Sequence, residues 1–246
     1  MTAPRPGEMV PSASPPPFPG PALVRQTWRD LLYVHWPVSP ASVARLFPAG
    51  TQPDTFDGQT FVGVVGLTMS STHLGGVLGV GSMYELNVRL YSVDDAGRQG
   101  VVFLSMEVSR PDAVLAARLS LQLPYLWSHL TPIRSASAVA GFQVRRRVRP
   151  RLTARVEVEI GDVLAHPSAI DVFLTARWGL HTRARRGPIW VPIRHPPFPL
   201  HQARLLHADK ELLAPAGIPM PDEAPVGVLW SPGLDAQIGR PRRLNG

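Results

Sequence analysis

The segment Tyr84-Glu85-Leu86-Asn87-Val88-Arg89-Leu90-Tyr91 sets a carboxylate, an amide, a guanidinium and a phenol at alternate positions. Successive side chains of a strand point to opposite faces. Glu85, Asn87, Arg89 and Tyr91 therefore share one side, and Tyr84, Leu86, Val88 and Leu90 the other. Such a face can move a proton through Glu85 and grip a carboxylate in two-pronged fashion through Arg89. The turn Asp94-Asp95-Ala96-Gly97 leads to a second extended stretch, Val101 to Val108. If this hairpin pairs in even register, Ser105 and Glu107 join the polar face, with Glu107 across from Asn87 or diagonal to Arg89. In a barrel that face points into a cavity and burial tunes its carboxylates. On an open sheet it meets water and only solubilises the strand.

Other chemistries find less support. The chain has no cysteine, which removes disulfides, thiol nucleophiles and thiolate metal sites. Its eight histidines show neither HxH nor HExxH spacing, so no metal is expected. His35 lies between Val34 and Trp36, with Trp28 and Tyr33 nearby, and is kept as a secondary candidate in an aromatic setting. Ser105 has no G-x-S-x-G context. The glycine-rich run Gly75 to Gly81 lacks the Lys-Ser/Thr ending of a phosphate loop and matches no dinucleotide fingerprint. It reads as a mobile loop that could serve as a lid. No cofactor is expected.

The elements that must position these residues are mostly strands. Thr60 to Met69, Leu152 to Ile160, Ile170 to Trp178, Ile189 to Ile193, Leu205 to His207 and Val226 to Leu229 all read as extended. Asp57-Gly58 is a hairpin signal. Two short helices are predicted. One follows Ser39-Pro40 through Phe47, and the other runs from Pro111 through Leu119 and stops before Pro124. Many strands with minor helices indicate a mostly β protein built on an antiparallel sheet or barrel.

Composition sets the outer limits. At 246 residues and 44% hydrophobic, the chain can bury one sizeable core. No run reaches the roughly 18 apolar residues of a membrane span. The N-terminus lacks the hydrophobic core of a signal peptide. Residues 1–23 are dense in proline and are expected as a disordered tail on a cytoplasmic protein, ahead of one domain over 24–246. The net charge of +7 comes almost wholly from arginine, Lys210 being the one lysine. Arg145 to Arg151 and the group Arg183, Arg185 and Arg186 are the densest basic clusters. The first has no interleaved aromatic platform and neither carries a nucleic-acid-binding motif, so a solvated strand edge is the expectation. A homo-oligomer is compatible with the sequence.

Several blocks together resemble the YqjF-like family of uncharacterised proteins. They are Trp28 to Leu32 with His35-Trp36-Pro37-Val38, Leu46-Phe47-Pro48, Asp54 to Gly58, Glu85 to Tyr91, Gly100 to Ser105, Ala117-Arg118 through Leu123-Pro124-Tyr125, and Phe173 to Trp178. The resemblance runs from about Gln26 to Gly239 and implies the acetoacetate decarboxylase-like fold, an antiparallel β-barrel or cone around an internal cavity. Acetoacetate decarboxylases form a Schiff base through a lysine just after a proline, helped by a glutamate on a neighbouring strand. Glu85 is similar in placement to that glutamate, but Tyr125 follows Pro124 here. Lys210 sits in the polar segment His207 to Glu211. Chemistry by Schiff base is therefore not expected.

Two readings follow. In the first, a cavity takes a small carboxylate or carbonyl compound. Arg89 or Arg118 anchors it, Glu85 acts as acid or base, and Asn87, Tyr125, Glu107 and His35 complete the site. In the second, the chain is a non-catalytic structural or interaction protein whose basic surface meets an acidic partner.

Overall fold

The computed structural model describes residues 11–18, 20–75, 78–135 and 138–244. Its strands are β1 (Val24–Val38), β2 (Thr51–Pro53), β3 (Thr60–Leu74), β4 (Leu78–Val80), β5 (Met83–Asp94), β6 (Gln99–Val108) and β7 (Tyr125–Arg134). They continue with β8 (Val139–Arg146), β9 (Thr153–Val163), β10 (Gly179–Ala184), β11 (Gly187–Arg194), β12 (His201–Ala208), β13 (Val226–Ile238) and β14 (Arg242–Arg243). The helices are α1 (Pro40–Val43), α2 (Pro111–Ser120) and α3 (Ala169–Thr175). Among the described residues no helix is long and apolar enough to cross a membrane.

Two forks organise the sheet. One edge of β13 pairs with β1, and its other edge is shared by β12 at Trp230 and β11 at Ile238. β6 divides likewise, with β5 on one edge and both β10, at Val101, and β7, at Met106 to Val108, on the other. The pairings therefore close into two rings that share the wall β13-β1-β3-β5-β6. The larger ring adds β7, β8, β9 and β12, and the smaller adds β10 and β11.

This shared wall explains the long apolar runs in the sequence, because strands buried on both faces need no polar side. On β1, Leu32, Val34 and Trp36 pack into the larger ring, while Leu31 and Tyr33 pack into the smaller. The larger ring is filled by Phe142, Val144, Val156 and Val158 among others. Gly66 allows that filling, since a Cβ there would lie 2.5 Å from the Phe142 ring. On β5, Leu86, Val88 and Leu90 belong to this core, so the polar residues between them must face the smaller ring.

The expected strands over Thr60 to Met69 and Val101 to Val108 fall within β3 and β6, the one over Leu152 to Ile160 forms as β9 from Thr153 onward, and both expected helices form at their prolines. Three expectations need revision. Ile170 to Trp178 is not a strand, because Ser168 and Asp171 form a reciprocal capping box that starts α3. Asp57 and Gly58 both adopt positive φ, but the turn closes only on a Phe56–Gln59 bridge. Within the glycine-rich run, Leu78–Val80 pairs with Thr72, His73 and Leu74 and so extends the sheet; residues 76 and 77 lie outside the described residues. The proline-rich segment is held against the body at Ser12, whose carbonyl accepts from Trp178 Nε1 at 3.1 Å. Residues 1–10 and 19 of that segment lie outside the described residues.

Candidate functional site

The polar face of β5 lines a cavity of about 490 Å³ inside the smaller ring. Glu85 and Asn87 are buried in its floor at 2% and 3% exposure. Asn87 Nδ2 donates to Glu85 Oε1 at 2.8 Å, and the Tyr125 hydroxyl donates to Oε2 at 3.4 Å. Burial pushes the Glu85 carboxyl up to about 7, against the opposing pull of Asn87, Tyr125 and Arg89. A carboxyl tuned to that value exchanges a proton readily near neutrality. Burial, with Glu85 beside it, holds the Tyr125 phenol well above its ordinary range.

Two guanidinium groups line the same cavity. Arg89 Nη2 donates to the Leu174 carbonyl at 3.1 Å and to the Tyr91 hydroxyl at 3.2 Å. Arg177, just past α3, donates from Nε to the Phe173 carbonyl at 2.7 Å and pairs through Nη1 with Asp54. The carbonyls at the end of a helix lack partners within it and carry partial negative charge, so α3 is a natural seat for both cations. Arg177 also lies over the Phe173 ring at 4.1 Å. Asp54 answers the charge of Arg177, whereas Arg89 forms no ion pair among the described residues.

Three polar atoms in this floor are buried without a hydrogen-bond partner among the described residues: Arg89 Nε, Arg177 Nη2 and Asn87 Oδ1. Unsatisfied buried groups cost about 1–3 kcal/mol each, and more when charged. Two unpartnered N–H donors and one unpartnered acceptor thus stand beside a protonatable carboxyl.

Behind the floor, His35 Nε2 lies 2.6 Å from the Tyr91 hydroxyl and Nδ1 lies 2.9 Å from the Gly227 carbonyl. A carbonyl can only accept, so Nδ1 carries the proton and Nε2 receives the Tyr91 hydroxyl. Burial and the nearby Arg89 lower the imidazole to about 3, so the ring stays neutral. His35 does not line the cavity; it braces Tyr91, which in turn holds Arg89.

Besides His35, two expected members are absent from the cavity wall. Arg118 lies exposed on α2, although its neighbours Ala116 and Ala117 face the cavity. Glu107 is turned into the other compartment by a register shift in β6. Arg89 opposes Phe103 but Val88 opposes Ser105, which leaves Leu104 as an extra residue. Such a bulge moves every following side chain to the opposite face. Asn87 therefore faces Met106, and Glu107 stands opposite Leu86. There it pairs with buried Arg146 and accepts from Ser128.

Arg177 and His195 line the cavity, and Asp54 pairs with Arg177, without being among the expected site residues. The capping pattern Ser168-x-x-Asp171 was the available signal for α3, and hence for a residue placed at its end. His195 lines the cavity as a neutral ring held at about 4 by burial, 4.6 Å from Phe198 and 4.8 Å from Trp178. A Ser92–His181–Asp94 arrangement also exists, with contacts of 2.8 and 3.2 Å, but none of the three residues lines the cavity.

The DUF2071 family model matches residues 25–235, most of the chain. The chain belongs to the DUF2071 family of uncharacterized conserved proteins. A relative in that direction is the uncharacterized protein YqjF of Bacillus subtilis (strain 168), 27% identical over 208 residues, covering 83% of this chain and 86% of YqjF. Solved structures similar to this DUF2071 chain have the acetoacetate decarboxylase-like fold. The acetoacetate decarboxylase from Legionella pneumophila has a TM-score of 0.63 at 12% identity, covering 93% of this chain and 92% of its own. An acetoacetate decarboxylase-like enzyme from Sphingomonas wittichii RW1 gives 0.59 at 18%, over 92% and 94%. The enduracididine biosynthesis enzyme MppR, complexed with pyruvate, gives 0.62 at 15%, over 93% and 90%. At these identities the likeness is one of fold. In this DUF2071 chain Lys210 is exposed and outside the cavity wall, whereas Tyr125, the residue after Pro124, lines it.

Proposed function

We propose that this DUF2071 chain binds a small organic acid or carbonyl compound inside the smaller ring, with Glu85 as its acid or base and no Schiff base. The observation that carries the reading is the pair of unpartnered donors, Arg89 Nε and Arg177 Nη2, beside the unpartnered Asn87 Oδ1. In the bound state the anionic group takes the two guanidinium donors, and a ligand hydroxyl or enol donates to Asn87. Glu85, with its pKa at about 7, takes a proton from the carbon beside the ligand's carbonyl and returns it. The pyruvate complex of MppR lends this reading analogy, since that protein shares the fold.

The reading as an interaction protein has weaker support. Within the basic stretch Arg145 to Arg151, Arg146 is turned inward to Glu107, which breaks the run as a continuous surface. A thermal-shift screen of small carboxylates and keto acids on wild type and Arg89→Ala tests the proposal. A ligand at about 100 times its Kd stabilises the folded chain by about 2.7 kcal/mol. That gain is expected in wild type and lost in Arg89→Ala. Equal stabilisation of both proteins rejects the anchoring role, and no hit in wild type rejects the organic-acid reading.

A further inference from the structure

We propose that the acid taken by this cavity is amphipathic, a fatty or 3-oxo monocarboxylate with an unbranched apolar tail of about six to ten carbons. The inference rests on the organic-acid reading above and adds the substrate class.

The polar side chains of β5 end at Glu85, and beyond it the wall is apolar, with Asp112 and Ser120 of α2 as polar residues of the roof. Along β5 the cavity-facing residues run Arg89, Asn87, Glu85 and Met83, a path of about 20 Å at about 3.3 Å per residue. Leu67 stands opposite Glu85, and Met69 opposite Met83. Leu31 and Leu123 line the cavity as well. On the shared wall polar side chains return only toward the rim, at Gln26 and Thr72. The roof over this stretch is α2, which turns Ala113, Ala116 and Ala117 to the cavity. Small roof residues leave the volume open where larger ones would fill it.

Size points the same way. The cavity of about 490 Å³ has room for about sixteen water-sized groups of about 30 Å³ each, roughly twice the non-hydrogen atoms of a four-carbon keto acid. Such a short acid would satisfy the arginine end and leave most of the apolar wall against water. A tail laid from Glu85 toward Met83 covers that wall. The two methionines are flexible and polarizable, and adapt to an alkyl chain without a fixed shape.

Calorimetric titration of the whole chain with butanoate, hexanoate, octanoate, decanoate and dodecanoate tests this, with octanol as a tail lacking the carboxylate. Affinity is expected to rise about 3-fold per added methylene and to level off once the tail reaches the rim. Octanol and the Arg89→Ala protein are expected to bind far more weakly than octanoate with wild type. Met83→Trp, which plugs the apolar stretch, should abolish the gain in affinity with chain length. Ala116→Trp, on the exposed lip of α2, makes the same test if Met83→Trp fails to fold. Butanoate binding as tightly as decanoate, with both dependent on Arg89, overturns the amphipathic proposal and leaves the organic-acid site standing. Octanol matching octanoate, or no acid binding at any length, overturns both.

Discussion

Arg89 and Arg177 come from different parts of the chain yet donate to consecutive carbonyls, those of Leu174 and Phe173 at the end of α3. The last turn of one short helix therefore sets the spacing of the two cations in the cavity floor. α3 is itself started by the capping box, in which Ser168 Oγ accepts from the Asp171 amide and Asp171 accepts from the Ser168 amide at 2.8 Å.

Ser168→Ala removes that cap, and a cost of about 1 kcal/mol in stability is expected from denaturant unfolding. Because α3 seats both guanidinium groups, the affinity for a carboxylate should fall as well, although Ser168 is exposed and lies away from the cavity wall. Calorimetric titration of the folded variant reads this directly. Affinity equal to wild type would show that α3 does not position the arginines.

The Glu85 carboxyl gives a pH signature. Its folded pKa of about 7 stands above the ordinary 4.5. Between those values the folded chain holds a proton that the unfolded chain has released. Its contribution is therefore full below about pH 4.5 and is lost as pH rises through about 7. Glu85→Gln has no such slope. Its stability relative to wild type should climb across that window by on the order of 3 kcal/mol. Buried His35, at about 3, and His181 and His195, at about 4, act in the opposite sense, losing stability as pH falls below about 6.5. They are common to both proteins and cancel in the difference. Thermal melts of the two proteins over this range check it, and a flat difference would mean that Glu85 ionises as freely as in water.

How much of this was legible in the sequence depends on the kind of interaction. The alternation from Tyr84 to Tyr91 is local, and it placed Glu85, Asn87 and Arg89 together correctly. The register of β6 is not local. Even pairing holds from the turn as far as Phe103, and the bulge at Leu104 then sends Ser105 and Glu107 to the other ring. That choice is made by packing on both faces of a doubly buried strand, which leaves no amphipathic pattern to read. α3 was misread because Ile170, Val172 and Phe173 have strand-like character, while the capping pair that decides the matter lies at its start. Arg177 was missed with it, since nothing local joins it to Arg89.

The lysine chemistry of the fold's decarboxylases is testable directly. Lys210 is exposed and does not line the cavity, whereas Tyr125 does. Incubation with a β-keto acid followed by borohydride should therefore leave no reduced adduct on the peptide that contains Lys210, as read by mass mapping. An adduct formed there in wild type, and competed away by a cavity ligand, would restore a Schiff base and refute the acid/base reading.

Glu85 and Glu107, which even pairing would bring together, stand in different rings. Glu107 lies in the larger ring, where Arg146 Nε sits 3.1 and 3.2 Å from its two oxygens and Ser128 donates to it. Arg146 is 1% exposed and also donates to the Pro150 carbonyl at 3.1 Å. Removing the charge at Glu107 leaves a buried guanidinium uncompensated, so Glu107→Gln should cost about 3–5 kcal/mol in stability. Replacing both partners by apolar residues, as in Glu107→Leu with Arg146→Met, should recover much of that loss, because neither charge is then stranded. In either variant, the folded fraction should bind carboxylate as wild type does, since Glu107 does not touch the cavity. Glu85→Gln should do the reverse, sparing stability at neutral pH and changing the pH dependence of binding. Denaturant unfolding and calorimetric titration of the same set of variants decide it. A Glu107→Gln protein that folds normally but loses carboxylate affinity would place Glu107 in the site and overturn the register assigned to β6.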